Sequence, residues 1–388
     1  MLTDMKRFLI VFSRIFVGVL FIFSGLIKAN DPLGFGYKLQ EYYDVFHLGF
    51  LGNGVSVQAI FICALEIILG CMLLLGIRAK QTVIGLLVII VFFTLLTFVS
   101  AVFKVVTSCG CFGDAIPLTP WQSFGKDLIL LTLIIILFIY RLHIKPLFSS
   151  LKAQNSLLLI VSALSVGLGF FTYSFLPFID FLPYKAGVNI SEAMAVPPGA
   201  SLDEFEIIYT LKNKKSGDSK EMTDKEYIKT EIWKDTSWEI IGEPKQKLIK
   251  KGFEPKIKDF IVNDAQGNDY TREILDNPYY SLVLVAYDLN KTNEHAIQKL
   301  NALAMNVAED FNIRTICLTS ASAKLAESFS KKNKLFYEMF YMDAVPLKSM
   351  VRANPGIILL RNGVIVNKWH YRTVPSYETM RSLYFEKD

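Results

Sequence analysis

Five apolar runs fill the first half of this 388-residue chain, at residues 8–27, 55–75, 83–105, 120–142 and 156–178. Each is close to the roughly 20 residues a helix needs to cross a bilayer. In lipid the backbone must satisfy its own polar groups, which leaves helices or a closed barrel, and these runs lack the alternation of barrel strands. The fold class expected is an α-helical transmembrane bundle.

The mean hydropathy of +0.36, with 20% charged residues, averages two unlike halves. Residues 1–183 carry 12 Lys and Arg against 8 Asp and Glu, whereas residues 184–388 carry the remaining 29 against 28. The second half therefore reads as a nearly neutral soluble extension, with no basic excess for nucleic acid or an anionic membrane surface.

Lys6, Arg7, Arg78, Lys80, Arg141, Lys145 and Lys152 all fall on one side of a five-span arrangement, which the positive-inside rule makes cytoplasmic. Five crossings then place the C-terminal half outside. The first run is too long for a signal-peptide core, and the stretch after it, Leu26-Ile27-Lys28-Ala29, is a poor cleavage site, so an uncleaved first helix is expected.

Two charges fall inside spans, Arg14 and Glu66. Intramembrane charges are costly and are paired or functional. Counted from the cytoplasmic ends, their depths differ by roughly 6 Å, within reach of a guanidinium. They read either as an intramembrane polar pair or as a snorkelling Arg14 and a protonated Glu66. The fourth span opens with Thr119, Pro120 and Trp121, suited to a cap, a first turn and the interface, and carries Lys126 and Asp127 almost two turns in, which should face the adjoining loop.

The five cysteines differ in setting. Cys63 and Cys71 are eight residues apart in one span, a rise of about 12 Å that rules out a bond between them, and Cys317 lies in an apolar strand-like run. Cys109 and Cys111 stand in the outer loop Ser108-Cys109-Gly110-Cys111-Phe112-Gly113-Asp114. Outside the cytosol, thiols are not held reduced. A strained bond across one glycine would be labile, the class used for exchange. Lys104 would favour a thiolate, and Asp114 or Asp127 could shuttle a proton. The alternative is a structural disulfide. Of the other cysteines, two lie in a span and Cys317 in an apolar strand-like run, none in the outer loops beside this pair, and the four histidines are scattered, so no metal is expected.

Arg14, Phe23-Ser24-Gly25-Leu26-Ile27-Lys28, Glu66, Cys109-Gly110-Cys111-Phe112-Gly113-Asp114 and Trp121 to Asp127, in that order, resemble the DoxX-like group and its methylamine-utilisation MauE branch over residues 6 to 145. The resemblance implies a four-helix core, distantly similar to vitamin K epoxide reductase-like proteins, and a role in periplasmic disulfide formation or electron transfer, with Cys109 and Cys111 as its redox pair.

The domains expected are a bundle at 1–150, a fifth helix and linker at 151–183, a small β-rich module at 184–252 and an α/β domain at 253–388. The last alternates strand and helix patterns from Ser281 to a closing hairpin at Asn362-Gly363, and this order resembles thioredoxin and peroxiredoxin-like thiol reductases. Asn354-Pro355 falls where that fold carries its cis-proline. Its Cys-x-x-Cys position holds Asp288-Leu289-Asn290-Lys291-Thr292-Asn293 instead, so this domain is expected to be redox-silent and to dock a partner beside Asn354 and Pro355.

The reading is a multi-pass protein of the bacterial inner membrane, with its C-terminal domain periplasmic. It would exchange disulfides or electrons with a periplasmic protein client or thiol-redox partner, with a quinone as one conceivable electron acceptor. The competing reading is a non-enzymatic membrane anchor and binding module of an envelope complex, with structural cysteines.

Overall fold

A computed structural model of the protein describes residues 2–104, 106, 110–201, 204–214, 216–242, 244–250 and 252–386. Its first helix, α1 (Leu2–Asn30), continues past the apolar run because nothing breaks it before Asp31-Pro32. Asp31 then caps α2 (Pro32–Val45), its Oδ1 accepting from the Gly34 amide at 2.9 Å, with Pro32 at the first helical position. The other long helices are α3 (Val55–Leu75), α4 (Ala79–Phe103), α5 (Pro120–Ile139) and α6 (Leu151–Ser174). Thr119 and Gln122 form a capping box at the start of α5.

All of these except α2 are long and apolar enough to cross a membrane, and the chain is a multi-pass membrane protein. Helices α1, α3, α4 and α5 enclose a core that includes Phe21, Leu73, Leu86, Ile90 and Ile134. Residues such as Phe12, Val88, Leu95 and Leu164 point outward and are exposed, which suits lipid and not water. Helix α6 packs against α3, and its Thr172 hydroxyl donates to the Ala29 carbonyl at 2.5 Å.

Helices α1 and α3 run antiparallel and very close. A Cβ at Gly70 would come within 2.7 Å of the Gly18 carbonyl, and one at Gly25 within 2.9 Å of the Cys63 carbonyl. Glycine at these crossings lets the backbones approach as small residues do in membrane helix pairs. The register sets Gly18 against Gly70 and Gly25 against Cys63, and so places Arg14 opposite Leu74.

The chain divides into two units, one formed by residues 1–187 with 261–388 and the other by 188–260. The smaller holds the short helix α7 (Ile190–Met194) and four antiparallel strands gathered on β1 (Glu204–Asn213). Strands β2 (Ser219–Thr223), β3 (Trp238–Ile240) and β4 (Lys245–Lys250) each pair with β1, and α8 (Asp224–Lys229) follows β2.

In the larger unit a short helix, α9 (Thr271–Leu275), precedes β5 (Tyr280–Val285), α10 (Glu294–Phe311), β6 (Arg314–Thr319), α11 (Ala323–Asn333) and β7 (Glu338–Tyr341). Then come α12 (Ala344–Met350), β8 (Gly356–Arg361), β9 (Val364–His370) and α13 (Tyr377–Met380). The sheet order is β7-β6-β5-β8-β9, parallel across the first three strands and antiparallel across the last three. Helix α10 presents Ile297, Leu300, Ala304 and Val307 to the sheet at helical spacing, and β5 and β8 lie in the centre of the core. The peptide bond between Asn354 and Pro355, just before β8, is cis.

Candidate functional site

Several polar residues of the bundle gather at one end. Ser24 and Lys28 share a face of α1, four residues apart. Lys28, 2% exposed, forms an ion pair with Glu66 of α3, which is 3% exposed. The Lys28 ammonium also lies 5.0 Å from the Phe35 ring centre and 5.6 Å from that of Phe93. Ser24 Oγ is 3.0 Å from Glu66 Oε2 and 3.0 Å from the Cys111 carbonyl oxygen. A hydroxyl has one proton, so it donates to one of these at a time.

A second pair stands beside the first. Lys126 Nζ lies 2.8 Å from Asp127 Oδ1, and the buried Asp127 also accepts from the Thr97 hydroxyl of α4 at 3.0 Å. Lys126 is 5.3 Å from the centre of the Phe112 ring. Ser24, Lys28, Glu66, Cys111, Lys126 and Asp127 border a cavity of about 20 Å³, room for one water molecule. Two ion pairs thus sit beside Cys111. Lys126 and Asp127, expected to face the loop, line the underside of its Cys111 turn.

Arg14 and Glu66 are not partners. The Arg14 guanidinium donates through Nε to the Leu73 carbonyl at 2.9 Å and through Nη2 to the Leu74 carbonyl at 2.8 Å. These are among the last carbonyls of α3, and that of Leu73 also accepts from the capping Gly76 amide at 3.2 Å. Counting depth from helix ends overlooked the register, which sets Arg14 against that terminus and leaves Glu66 to Lys28. Lys28 follows the apolar run at 8–27, yet α1 continues through it and carries it to Glu66.

Cys109 lies outside the described residues. Cys111 lies half-buried in the turn that follows, at Gly110–Phe112, where Phe112 packs on Phe23 with ring centres 5.6 Å apart. Cys63 is buried on α3, and Cys317 is buried in β6, where burial pushes its thiol up to about 12, well into the unreactive range.

Asp114, which closes the cysteine loop, is held by a residue from the far end of the sequence. Arg352, 5% exposed, places Nε 2.8 Å from Asp31 Oδ2 and Nη2 3.0 Å from Asp114 Oδ2. Burial opposes the charge on Arg352, but Asp31 and Asp114 outweigh it and hold the guanidinium above its ordinary value. Burial also raises the Asp114 carboxyl, and Arg352 offsets only part of that rise. Nearby, Tyr37 of α2 donates to the Tyr287 hydroxyl at 3.1 Å, and burial keeps its own phenol firmly protonated. Lys368 of β9 reaches Asp180 at 2.5 Å. The 352–355 loop therefore sits next to the cysteine loop.

Asn354 is fully engaged. Its amide donates to the Asp288 carbonyl at 2.8 Å, its side-chain oxygen accepts from Thr292 at 3.0 Å, and its carbonyl accepts from the Asn293 amide at 3.4 Å. Segment 288–293 is thereby laced to the residue preceding Pro355. Sequence reading missed Lys28, Thr97, Asp31 and Arg352 as members of the site. The signal for Lys28 was its position four residues after Ser24, before any helix breaker.

Residues 6–140 match the family described as methylamine utilisation protein MauE. The chain is also similar to Protein TlpB of Flavobacterium psychrophilum, 29% identical over 128 residues, which cover 32% of this chain and 35% of that protein. The chain thus aligns with about a third of the curated relative's length. No solved structure matches. The comparisons therefore establish a MauE-type membrane domain at the N-terminal end of a longer chain that carries a sheet-containing extension.

Proposed function

We propose that this protein exchanges disulfides or electrons with protein clients at the outer face of the bacterial inner membrane through Cys109 and Cys111. The observation that carries this reading is that Lys28–Glu66 and Lys126–Asp127 border one small cavity with Cys111, and that Ser24 stands between Glu66 and the Cys111 carbonyl. A structural disulfide gives no reason to bury two ion pairs in a membrane bundle, since such pairs are expensive and can often be replaced by apolar residues at no loss. A thiol that gains and loses a proton does.

The chemistry balances without any further group. A thiolate of one partner attacks the disulfide of the other, a mixed disulfide forms as the first sulfur–sulfur bond breaks, and the second thiolate of the attacking pair resolves it. Two electrons pass between the pairs, and each thiol that forms takes a proton where each thiolate that attacks has lost one. Lys28 and Lys126 would favour the thiolate electrostatically, while Glu66 and Ser24 would hold the proton in transit. The cavity among them has room for a water and not for a quinone ring, so this cluster supports a proton role; a quinone would have to approach the loop from the lipid side.

Sheet order and the cis Asn354–Pro355 bond support reading residues 261–388 as thioredoxin-like, with Asp288 to Asn293 in place of the thiols. Its role would be to hold a client beside the cysteine loop. The charge asymmetry of the loops supports placing this domain in the periplasm.

The test is trapping. Cys111→Ser and Cys109→Ser variants, examined on non-reducing gels of intact envelopes, should accumulate a dithiothreitol-sensitive adduct in at least one case. If both lose stability and neither accumulates an adduct, the cysteines are structural and the protein is an anchor.

A further inference from the structure

A cleft of about 990 Å³ opens between the outer end of the bundle and the sheet domain. That places it at the top of the range for small-ligand sites, roughly 300–1,000 Å³. Helix α2 and the turn before α3 form one wall, and the loops after β5, β6 and β9 form the other. Its charges are lopsided. Lys291 is matched by Asp288, with Nζ 3.5 Å from Oδ2, and Arg352 is matched by Asp31 and Asp114. Lys348 and Arg372 also line it, and among the described residues neither has a carboxylate within ion-pair distance.

Both cations are held in place. The Lys348 ammonium lies 4.7 Å from the centre of the Tyr37 ring, and Arg372 donates to the Ser174 carbonyl at 3.0 Å, at the end of α6. Burial, with a smaller contribution from Lys291, pulls the Lys348 ammonium below its ordinary value, a penalty that an arriving anion would relieve. The cleft lining also includes Gln40, Asn290, Ser320 and Tyr371. These are side chains suited to a polypeptide backbone.

Building on the client-docking reading, we infer that this cleft binds an extended acidic segment of the client, its carboxylates meeting Lys348 and Arg372 while its cysteine faces the neighbouring loop. Arg352 forms the boundary between cleft and cysteine loop, so a segment seated here leaves its flanking residues next to Asp114. Selection would rest on charge and on the width of the cleft rather than on the loop's thiols.

The full chain carrying both Cys109→Ser and Cys111→Ser, in nanodiscs of zwitterionic lipid, is titrated into a labelled cysteine-free decapeptide of alternating Glu and Thr, with a Lys/Thr peptide as counterpart. The acidic peptide should bind, weakening with salt. Lys348→Gln and Arg372→Gln should each reduce affinity roughly fivefold to tenfold, and Lys348→Arg should restore most of it. Equal binding of the two peptides, or affinity unchanged by both glutamine variants, overturns the inference. So does stabilisation by a short-chain anionic phospholipid that depends on Lys348 when the acidic peptide does not bind, since the cleft is then a lipid site. Binding is read without the thiols, so failure here and failure of the exchange chemistry are told apart.

Discussion

Replacing Lys28 by Met leaves Glu66 as an uncompensated carboxylate in the bundle, and replacing Glu66 by Leu leaves a bare ammonium. Both side chains are all but inaccessible, at 2% and 3% exposure, so neither orphan can reach water by a rotamer change. Breaking a buried pair from one side costs about 3–5 kcal/mol, whereas exchanging both members for apolar groups of similar size is close to neutral. Each single variant should therefore lose roughly 3–5 kcal/mol, and Lys28→Met with Glu66→Leu should lose far less than their sum. The double-mutant cycle should then return a coupling of at least 2 kcal/mol, inside the range for groups in direct contact at its lower edge. Reversible unfolding in mixed micelles of detergent and sodium dodecyl sulfate measures it. The same cycle with Arg14→Leu and Glu66→Leu should be additive within about 0.5 kcal/mol, because the Arg14 guanidinium is held by the Leu73 and Leu74 carbonyls. Additivity for Lys28 with Glu66, or strong coupling for Arg14 with Glu66, refutes the arrangement described.

Arg352→Met should leave Asp31 and Asp114 facing each other without a counter-charge, loosening the sheet domain from the bundle; faster limited proteolysis between 175 and 187 would show it, and adding Asp31→Asn with Asp114→Asn should restore resistance. His370 Nδ1 accepts from the Arg372 amide at 3.2 Å, and burial, with Arg372 adding to it, lowers the imidazole to about 4 from an ordinary 6.5. The unfolded chain takes up that proton first, so its contribution is complete above pH 6.5 and is lost as pH falls from there towards 4, up to about 3 kcal/mol in all. His370→Gln should flatten the fall in thermal midpoint between pH 7 and pH 5. Gly70→Val should destabilise the bundle by more than about 2 kcal/mol, because its branched Cβ meets the Gly18 carbonyl, while the same change at Gly167, where no heavy atom would meet the added Cβ, should be nearly silent in the same unfolding assay.

The spans were legible because burial in lipid writes itself into composition over some twenty residues, and the Thr119-Pro120 start of α5 because capping chemistry is local. The cis bond at Asn354–Pro355 was expected only through the resemblance of the 281–363 element order to thioredoxin. What could not be read was register. Whether Arg14 or Lys28 meets Glu66 depends on two glycine crossings that fix how far α1 slides along α3, and depth counted from helix ends is blind to that. Lys28 lies beyond the apolar run yet within α1, because the helix outlasts that run by a turn. Arg352 left no trace at all, since its partners Asp31 and Asp114 are 321 and 238 positions away and no periodicity links them.

The central claim is that the Cys109 and Cys111 loop is in redox exchange with its surroundings. Its thiol state can be fixed directly, by acid quenching of growing cells, alkylation with a mass-shifting maleimide, and repetition after brief pulses of dithiothreitol and of an oxidant. The account predicts a mixture of oxidised and reduced forms that returns to its starting ratio once each pulse is removed, and that returns more slowly in Glu66→Gln, where Ser24 keeps a partner but the titratable carboxylate is gone. A loop that stays wholly oxidised through both pulses would contradict it.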